Sequence, residues 1–254
     1  GKTSLATSIS LRVAKAGVPV AIVSLEMDEE GLSHRFLSEL SGIEYFKFRK
    51  AHELTNNDIQ KAVEATDVYS RLPIEIVPPG VREIGAVFSS LRKVDRKYKS
   101  IGGLGLVVVD YLQLVTARGA SQNERVGLVS TGLKNIAKML GCPVLALSQL
   151  SRGVENRDNK RPMLSDLRDS GQIEQDADAV LFCYRDYYYL ERQKPADDDV
   201  ERLADWKSDL ERCRNIMEVI TAKQRMGPIG SDMVGCAIAT NQFWDLQIQE
   251  DIEF

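Results

Sequence analysis

The chain opens Gly1-Lys2-Thr3-Ser4 and runs into a segment of helical character, 4–15. Gly-Lys-Thr at the start of a helix is the second half of the phosphate-loop pattern G-x-x-x-x-G-K-[ST]. In that pattern the Lys ammonium neutralises β- and γ-phosphate charge, the Thr hydroxyl ligates Mg²⁺, and the unpaired amides of the first helical turn face the phosphates. Gly1, Lys2, Thr3 and Ser4 are therefore candidate nucleotide-binding residues, and Thr3 is also a candidate Mg²⁺ ligand. Without the first half of the loop the signal is weak by itself, so its surroundings decide.

Three apolar runs each end on a polar side chain: Glu26 after 18–25, Asp110 after 104–109, and Gln149 after 144–147 and Ser148. An open α/β sheet binds its ligand beyond the carboxyl ends of its parallel strands, so all three side chains can converge beside the Gly-Lys-Thr helix. Asp110 has the form of the acid that holds Mg²⁺ through water and is the second candidate metal ligand. Glu26, ionised near a γ-phosphate, can orient and deprotonate the attacking water. Gln149 can sense the same phosphate by hydrogen bonding. Singly, each is an ordinary polar residue where a strand leaves the core. Together, around one helix start, they point to hydrolysis of ATP with Mg²⁺.

The elements that must position these residues read as strands alternating with helices. That pattern gives an α/β fold with a mostly parallel central sheet and helices on both faces. Helices are expected at 4–15, 28–40 with Asp28 as N-cap, 57–69, 83–99 and 124–140, and strands at 18–25, 73–77, 104–109, 144–147 and 179–184. Closing strands are expected at 216–225, 234–240 and 243–248, the first two joined by a Gly227-Pro228 turn. The polar stretch 151–170 has no clean period and reads as a loop. At 197–215, Leu203, Trp206, Leu210 and Cys213 recur at helical spacing in a charged segment, which suggests an inserted amphipathic helix. Tyr187-Tyr188-Tyr189 reads as packing at a strand end.

Composition fits one soluble domain, 1–254, with 43% hydrophobic and 28% charged residues. No apolar run nears the roughly 20 residues of a membrane span, and no secretory leader is seen, so no membrane partner and a cytoplasmic location are expected. The net charge of −4 argues against a surface that grips nucleic acid everywhere; a DNA contact must be local, as a basic lining inside a ring would be. The four cysteines lie far apart and read as reduced packing residues, and His34 and His52 are isolated, so no metal beyond Mg²⁺ is expected.

Longer stretches carry a specific resemblance. Ser24-Leu25-Glu26-Met27, Val109-Asp110-Tyr111-Leu112-Gln113-Leu114, Leu147-Ser148-Gln149-Leu150 and the whole of 160–178 resemble the DnaB family of bacterial replicative DNA helicases in order and content. The likeness runs from Gly1 to about Phe243 and takes in Lys223-Gln224-Arg225-Met226-Gly227-Pro228. It implies a RecA-like P-loop fold, a homohexameric ring, and an ATP-dependent 5′-to-3′ DNA helicase. It also implies single-stranded DNA, primase and a helicase loader as partners.

The same resemblance gives Lys223 and Arg225 a role. Two apart on a strand, their side chains leave one face, so both can point across an interface at a neighbouring subunit's γ-phosphate. It also places the DNA contact in Arg168, Asp169 and Gly171, with Arg168 and backbone amides on phosphate and Gly171 allowing close approach. Asp169 alternatively orients Arg168 or caps the next helix. Lys160 and Arg161 are secondary DNA candidates that read better as structural or solvated.

The chain departs from the family at Met226, where Asn is usual, and at Ser130-Thr131-Gly132, where many relatives have Ser-Arg-Ser. The insertion at 197–215 is also absent from many relatives. The resemblance implies an N-terminal primase-binding domain, its linker, and a first strand and first half of the phosphate loop ahead of Gly1, so the chain reads as truncated. The fragment alone is therefore expected to bind ATP poorly and to form no active rings, and equal activity in a version restored upstream would refute this. The alternatives are a RecA-like recombinase or clock-type ATPase, and a non-catalytic remnant or scaffold; the latter should have lost Glu26, Asp110 or Arg225, and all three are present.

Overall fold

The computed structural model describes residues 1–78, 80–167, 171–196 and 198–246. In chain order the first half contains α1 (Lys2–Lys15), β1 (Val20–Ser24), α2 (Glu29–Ser41), α3 (Tyr45–Arg49), α4 (Asn56–Ser70), β2 (Ile74–Ile76), α5 (Ile84–Lys97) and β3 (Leu106–Asp110). Then come α6 (Gln122–Leu140), β4 (Val144–Ala146), α7 (Gly171–Asp176), β5 (Ala179–Tyr184), α8 (Asp186–Leu190), α9 (Val200–Cys213), β6 (Ile216–Gln224), β7 (Gly230–Ala237) and β8 (Gln242–Asp245). Local chemistry sets several boundaries. Asp28 caps α2 by accepting from the Gly31 amide at 2.8 Å, Thr55 and Asp58 form a reciprocal capping box on α4, and Ser121 caps α6. Gly141 ends α6 at φ 67°, a left-handed value that a side chain would oppose.

Strands β2-β1-β3-β4 lie side by side in that order, all parallel. Every residue of β1 and β3 is buried, as expected of strands covered on both faces. Because side chains alternate across a strand, Ala21, Val23, Val107 and Val109 pack with Val87 and Leu91 of α5 and Val126, Val129, Leu133 and Ile136 of α6. Val20, Ile22, Leu106 and Val108 face the other way, onto Ala6, Leu11 and Ala14 of α1 and Leu32 and Phe36 of α2. Helices thus cover both faces.

The closing strands form their own sheet, β5-β6-β7-β8, antiparallel throughout. The connections β6–β7 and β7–β8 are too short to hold the crossover helix that parallel pairing would require, while residues 185–215, with α8 and α9, join β5 to β6. No backbone pairing joins β4 to β5 among the described residues. Helix α1 bridges the two sheets: Leu5 packs on Met217, Cys236 and Phe243, and the Arg12 guanidinium donates to the Phe243 carbonyl at 2.5 Å.

Several elements differ from the sequence pattern. β7 begins at Gly230, four residues earlier than the apolar pattern indicates, because Gly230 to Met233 pair with β6 while staying exposed. Residues Ile238–Thr240 make a 3₁₀ turn instead of continuing a strand. The three tyrosines lie on the short helix α8, with Tyr184 stacked on Tyr189. α9 packs on its own chain, where Trp206 Nε1 donates to the Leu190 carbonyl at 2.7 Å. Within 151–167 two 3₁₀ turns are pinned by a bidentate Arg157 to Asp166 pair, with N to O distances of 2.9 and 2.8 Å. Arg161 makes a bidentate pair with buried Glu218, and Lys160 donates to the Glu155 carbonyl, so both of these basic residues have partners within the chain. Cys142 and Cys236 are buried, whereas Cys183 and Cys213 are half-buried, and all four are free thiols. No helix among the described residues is long and apolar enough to cross a membrane.

A polar cluster sits behind α1. Glu39 accepts from Ser8 Oγ at 2.6 Å and from Asn241 Nδ2 at 3.0 Å, and Asn241 is fully buried with φ 56°. Burial raises the Glu39 carboxyl above its ordinary value of 4.5, and the two hydrogen bonds only partly offset this. The folded chain then binds this proton more tightly than the unfolded one. Its contribution to stability is complete below pH 4.5 and is lost as pH rises through the raised folded value. Glu39→Gln, which keeps the shape without the charge, is expected to raise Tm at pH 8 by about 2–4 °C relative to the parent. That advantage should vanish at pH 4 in thermal unfolding; a difference independent of pH would rule out a desolvated carboxylate as the cause.

Candidate active site

The first turn of α1 presents the amides of Lys2, Thr3 and Ser4, which have no partner four residues back; the first intrahelical bond is Leu5 N–H to the Gly1 carbonyl, 3.0 Å. Lys2 is exposed at this end. Thr3 Oγ1 donates to Asp110 Oδ2 at 2.9 Å, joining the Gly-Lys-Thr helix to the last residue of β3. Asp110 is 2% exposed, and its other oxygen, Oδ1, is buried with no hydrogen-bond partner among the described residues. An orphaned carboxylate oxygen in a core strand is costly unless something cationic or hydrated meets it. The donor set of a hydroxyl and a carboxylate is all oxygen, and so it fits a hydrated Mg²⁺. Ser4 departs from the simple pattern: its side chain is buried and its Oγ accepts from Arg35, so only its amide faces the phosphate position.

Strand register brings the other groups to the same edge. Ser24 lies opposite Asp110, and Val109 lies opposite Ala146, so β1, β3 and β4 end level with one another. Glu26 follows two residues after β1, with the Leu25 amide bound to the Asp110 carbonyl at 2.8 Å. Ser24 Oγ closes this turn on the Met27 carbonyl at 2.6 Å. The Glu26 side chain is exposed and makes no hydrogen bond or ion pair among the described residues. Gln149 follows three residues after β4, its amide held by Gln113 Oε1 at 3.3 Å while Gln113 Nε2 donates to Ser148 Oγ at 2.8 Å. Glu26, Asp110 and Gln149 therefore share the carboxyl edge of the parallel sheet with the start of α1.

Lys223 and Arg225 are elsewhere. In the β5–β6 ladder, Gln224 lies opposite Ala179 while Glu218 lies opposite Tyr184. A Cβ on Gly1 would meet the Met217 side chain, so α1 starts at the Tyr184 end. Five residues of strand, roughly 16 Å, separate the two ends. Both basic residues turn to one place: Lys223 Nζ donates to the Glu174 carbonyl, and Arg225 donates to the Gln175 carbonyl at 2.7 Å and to Asp178 Oδ1 at 3.1 Å. Asp178 also pairs with Lys134, and these basic groups hold its carboxyl below the ordinary range, the Lys134 hydrogen bond most of all. Helix α7, which these contacts grip, starts at Gly171. Gly171 is exposed, and a Cβ built there meets nothing within 4 Å, so no neighbour among the described residues requires the glycine. Arg168 and Asp169 lie outside the described residues.

Two groups at this site are not evident from the sequence. Arg35 reaches Ser4, Met27 and Asn241 at once, and Asn241 is the one non-glycine residue with positive φ among those described. A lone arginine on a helix that opens with Glu29 and Glu30 was the available sign for Arg35; nothing in spacing marks Asn241.

A family model described as the DnaB-like helicase C terminal domain matches residues 1–245. The replicative DNA helicase DnaB of Rickettsia bellii is 43% identical over 219 residues, which span 84% of this chain and 43% of that protein. The replicative DNA helicase DnaC of Bacillus subtilis is 41% identical over 256 residues, 99% of this chain and 51% of that protein. The chain thus spans about half the length of the curated relatives it matches. Among solved structures, an ATPase domain superposes with a TM-score of 0.81 at 33% identity, covering 96% of this chain and 80% of that one. A DnaB-like replicative helicase, solved in a study of its interactions with primase, gives 0.82 at 34% identity over 97% of this chain and 55% of that one. With a RecA-like α/β fold and a match over almost its full length, the chain belongs to the DnaB-like helicase C-terminal domain family.

Proposed function

We propose that this chain is the ATP-driven motor of a replicative DNA helicase, which hydrolyses ATP with Mg²⁺, moves on single-stranded DNA as a homohexameric ring, and unwinds duplex at a fork. The observation that carries the reading is the Thr3 to Asp110 hydrogen bond at the N-terminus of α1, beside a buried carboxylate oxygen left without a partner among the described residues. A structural role alone does not call for a desolvated, half-satisfied acid at a phosphate-facing helix start.

The residues divide the work. The amides of Lys2, Thr3 and Ser4 and the Lys2 ammonium bind the β- and γ-phosphates. Thr3 and Asp110 would hold Mg²⁺, which supplies positive charge against the developing negative charge on phosphate. Glu26, with no partner of its own among the described residues, orients the attacking water and accepts its proton. Gln149, on a loop fixed by Gln113, hydrogen-bonds to the γ-phosphate. Arg225, helped by Lys223, serves a neighbouring subunit's phosphate, because the opposite end of the β5–β6 ladder cannot reach its own.

Single-stranded DNA is held at Arg168, Asp169 and Gly171 through phosphate contacts, which are independent of sequence, as a traversing motor requires. The exposed, unencumbered Gly171 supports close approach of a backbone there. Primase and a loader are proposed partners, and the bacterial cytoplasm is the proposed location. The test uses the chain within a full-length protein of the size of the relatives it matches, about twice its own length. ATP hydrolysis should rise on adding single-stranded DNA, and a forked duplex should be unwound; hydrolysis indifferent to DNA would overturn the proposal.

A further inference from the structure

We infer that Arg35 is a positioning residue that locks the Glu26 loop onto the phosphate-facing first turn of α1, so that the water-activating carboxylate is held in register with the phosphates. This rests on the assignment of Glu26 given above.

Arg35 lies seven residues after the N-cap Asp28, about two helical turns. Side chains on a helix lean toward its N-terminus, so Arg35 reaches back over the loop that leads into α2. Its guanidinium then meets four separate elements. Nε donates to Met27 Sδ at 3.4 Å, in the loop between β1 and α2. One terminal nitrogen donates to Ser4 Oγ at 3.0 Å, on α1, and to Asn241 Oδ1 at 3.4 Å, at the β7–β8 corner. Its central carbon lies over the Tyr45 ring of α3, 4.8 Å from the ring centroid.

Glu26 itself is exposed, so its direction is set by what holds its neighbours. Ser24 and Leu25 fix the backbone on one side, through the Met27 and Asp110 carbonyls. On the other side Met27 is clamped between Arg35 and the first turn of α2, where a Cβ on Gly31 would come within 3.0 Å of Met27 Cε. Arg35 is the charged group that ties this loop to α1. Burial lowers its pKa, while Tyr45, Asp110 and Glu26 act the other way, which places both acids of the site within reach of its charge. A guanidinium stays protonated under such pressure, and its planar fork sends separate nitrogens to Met27 and Ser4, where an ammonium has a single nitrogen for both.

The test compares Arg35→Met, Arg35→Lys, Ser4→Ala and Glu26→Gln in the full-length chain. It measures kcat and KM for ATP, the Kd of a fluorescent ATP analogue, and thermal unfolding. A misplacement of about 1 Å costs about 100-fold in rate, so Arg35→Met should lower kcat by about that factor while the analogue's Kd changes by less than about threefold. Arg35→Lys should recover about tenfold of the loss by keeping the charge without the fork. Ser4→Ala removes one contact and should lower kcat by about 3- to 10-fold, and its effect should be non-additive with Arg35→Met.

Loss of analogue binding with kcat unchanged would overturn the inference, since Arg35 would then shape only the phosphate pocket. Should Arg35→Met fail to fold, Ser4→Ala and Arg35→Lys decide: kcat unchanged in both overturns it. If Glu26→Gln keeps turnover, the Glu26 assignment fails and this inference with it. If Glu26→Gln abolishes turnover while the Arg35 variants keep theirs, the Arg35 inference alone fails.

Discussion

Glu26→Gln is expected to lower ATP turnover by about 10²- to 10⁴-fold while leaving nucleotide binding and ring assembly intact. The carboxylate lies at the sheet edge shared by Asp110, Gln149 and the start of α1, yet it touches no phosphate-binding group and has no partner of its own among the described residues. A glutamine keeps its size and its capacity to orient water but cannot take a proton. The substitution therefore separates proton transfer from positioning. Equilibrium binding of an ATP analogue and the sedimentation of the ring serve as controls beside steady-state hydrolysis. Turnover within about threefold of the parent would mean that another group activates the water.

The second large effect is expected at Arg225. Arg225→Ala should lower turnover by about 10³- to 10⁵-fold, the range found for arginines that stabilise a transferring phosphoryl group. In this chain Arg225 is paired with Asp178 across 3.1 Å, with side chains 48% and 65% exposed respectively. So exposed a pair contributes about 0–1 kcal/mol, which is too little to keep the guanidinium from a desolvated phosphate.

Mixing decides whether the arginine acts in trans. Rings assembled from Arg225→Ala and Glu26→Gln chains contain some interfaces where an intact Glu26 faces an intact Arg225, about one in four at equal amounts. Turnover well above that of either variant alone is the expected result. If the two groups serve one site within one chain, mixing restores nothing.

How much of this was legible in the sequence depends on how locally each feature is determined. Asp110 announced itself because a run of buried β-branched residues must end where the chain leaves the core, and an acid at that point is conspicuous. The Asp28 cap and the Gly141 stop are equally local. Arg35 was not legible as a clamp, because its partners Ser4 and Asn241 lie 31 and 206 residues away and no periodicity links them. The first half of β7 escaped notice for a different reason: Gly230 to Met233 pair through backbone alone and bury nothing, so the pattern that marks strands is missing there. Helix α8 was hidden by aromatic residues, whose strand preference is overridden when Tyr184 and Tyr189 stack. The cis association of Lys223 and Arg225 with α7 depends on a ladder register that only coordinates supply.

Lys223 and Arg225 neutralise the negative, carbonyl-bearing end of α7, a helix of six residues whose other end is Gly171. If Arg225 serves its neighbour, each visit to that neighbour's phosphate strips this end of a counter-charge and loosens a helix that begins at a proposed DNA contact. News of a nucleotide would then reach the strand through the subunit that lent its arginine, not the one that owns the pocket. Around a closed circle of identical chains such messages travel in one sense only, so a ring symmetric in composition would still have a built-in clockwise or anticlockwise order of events.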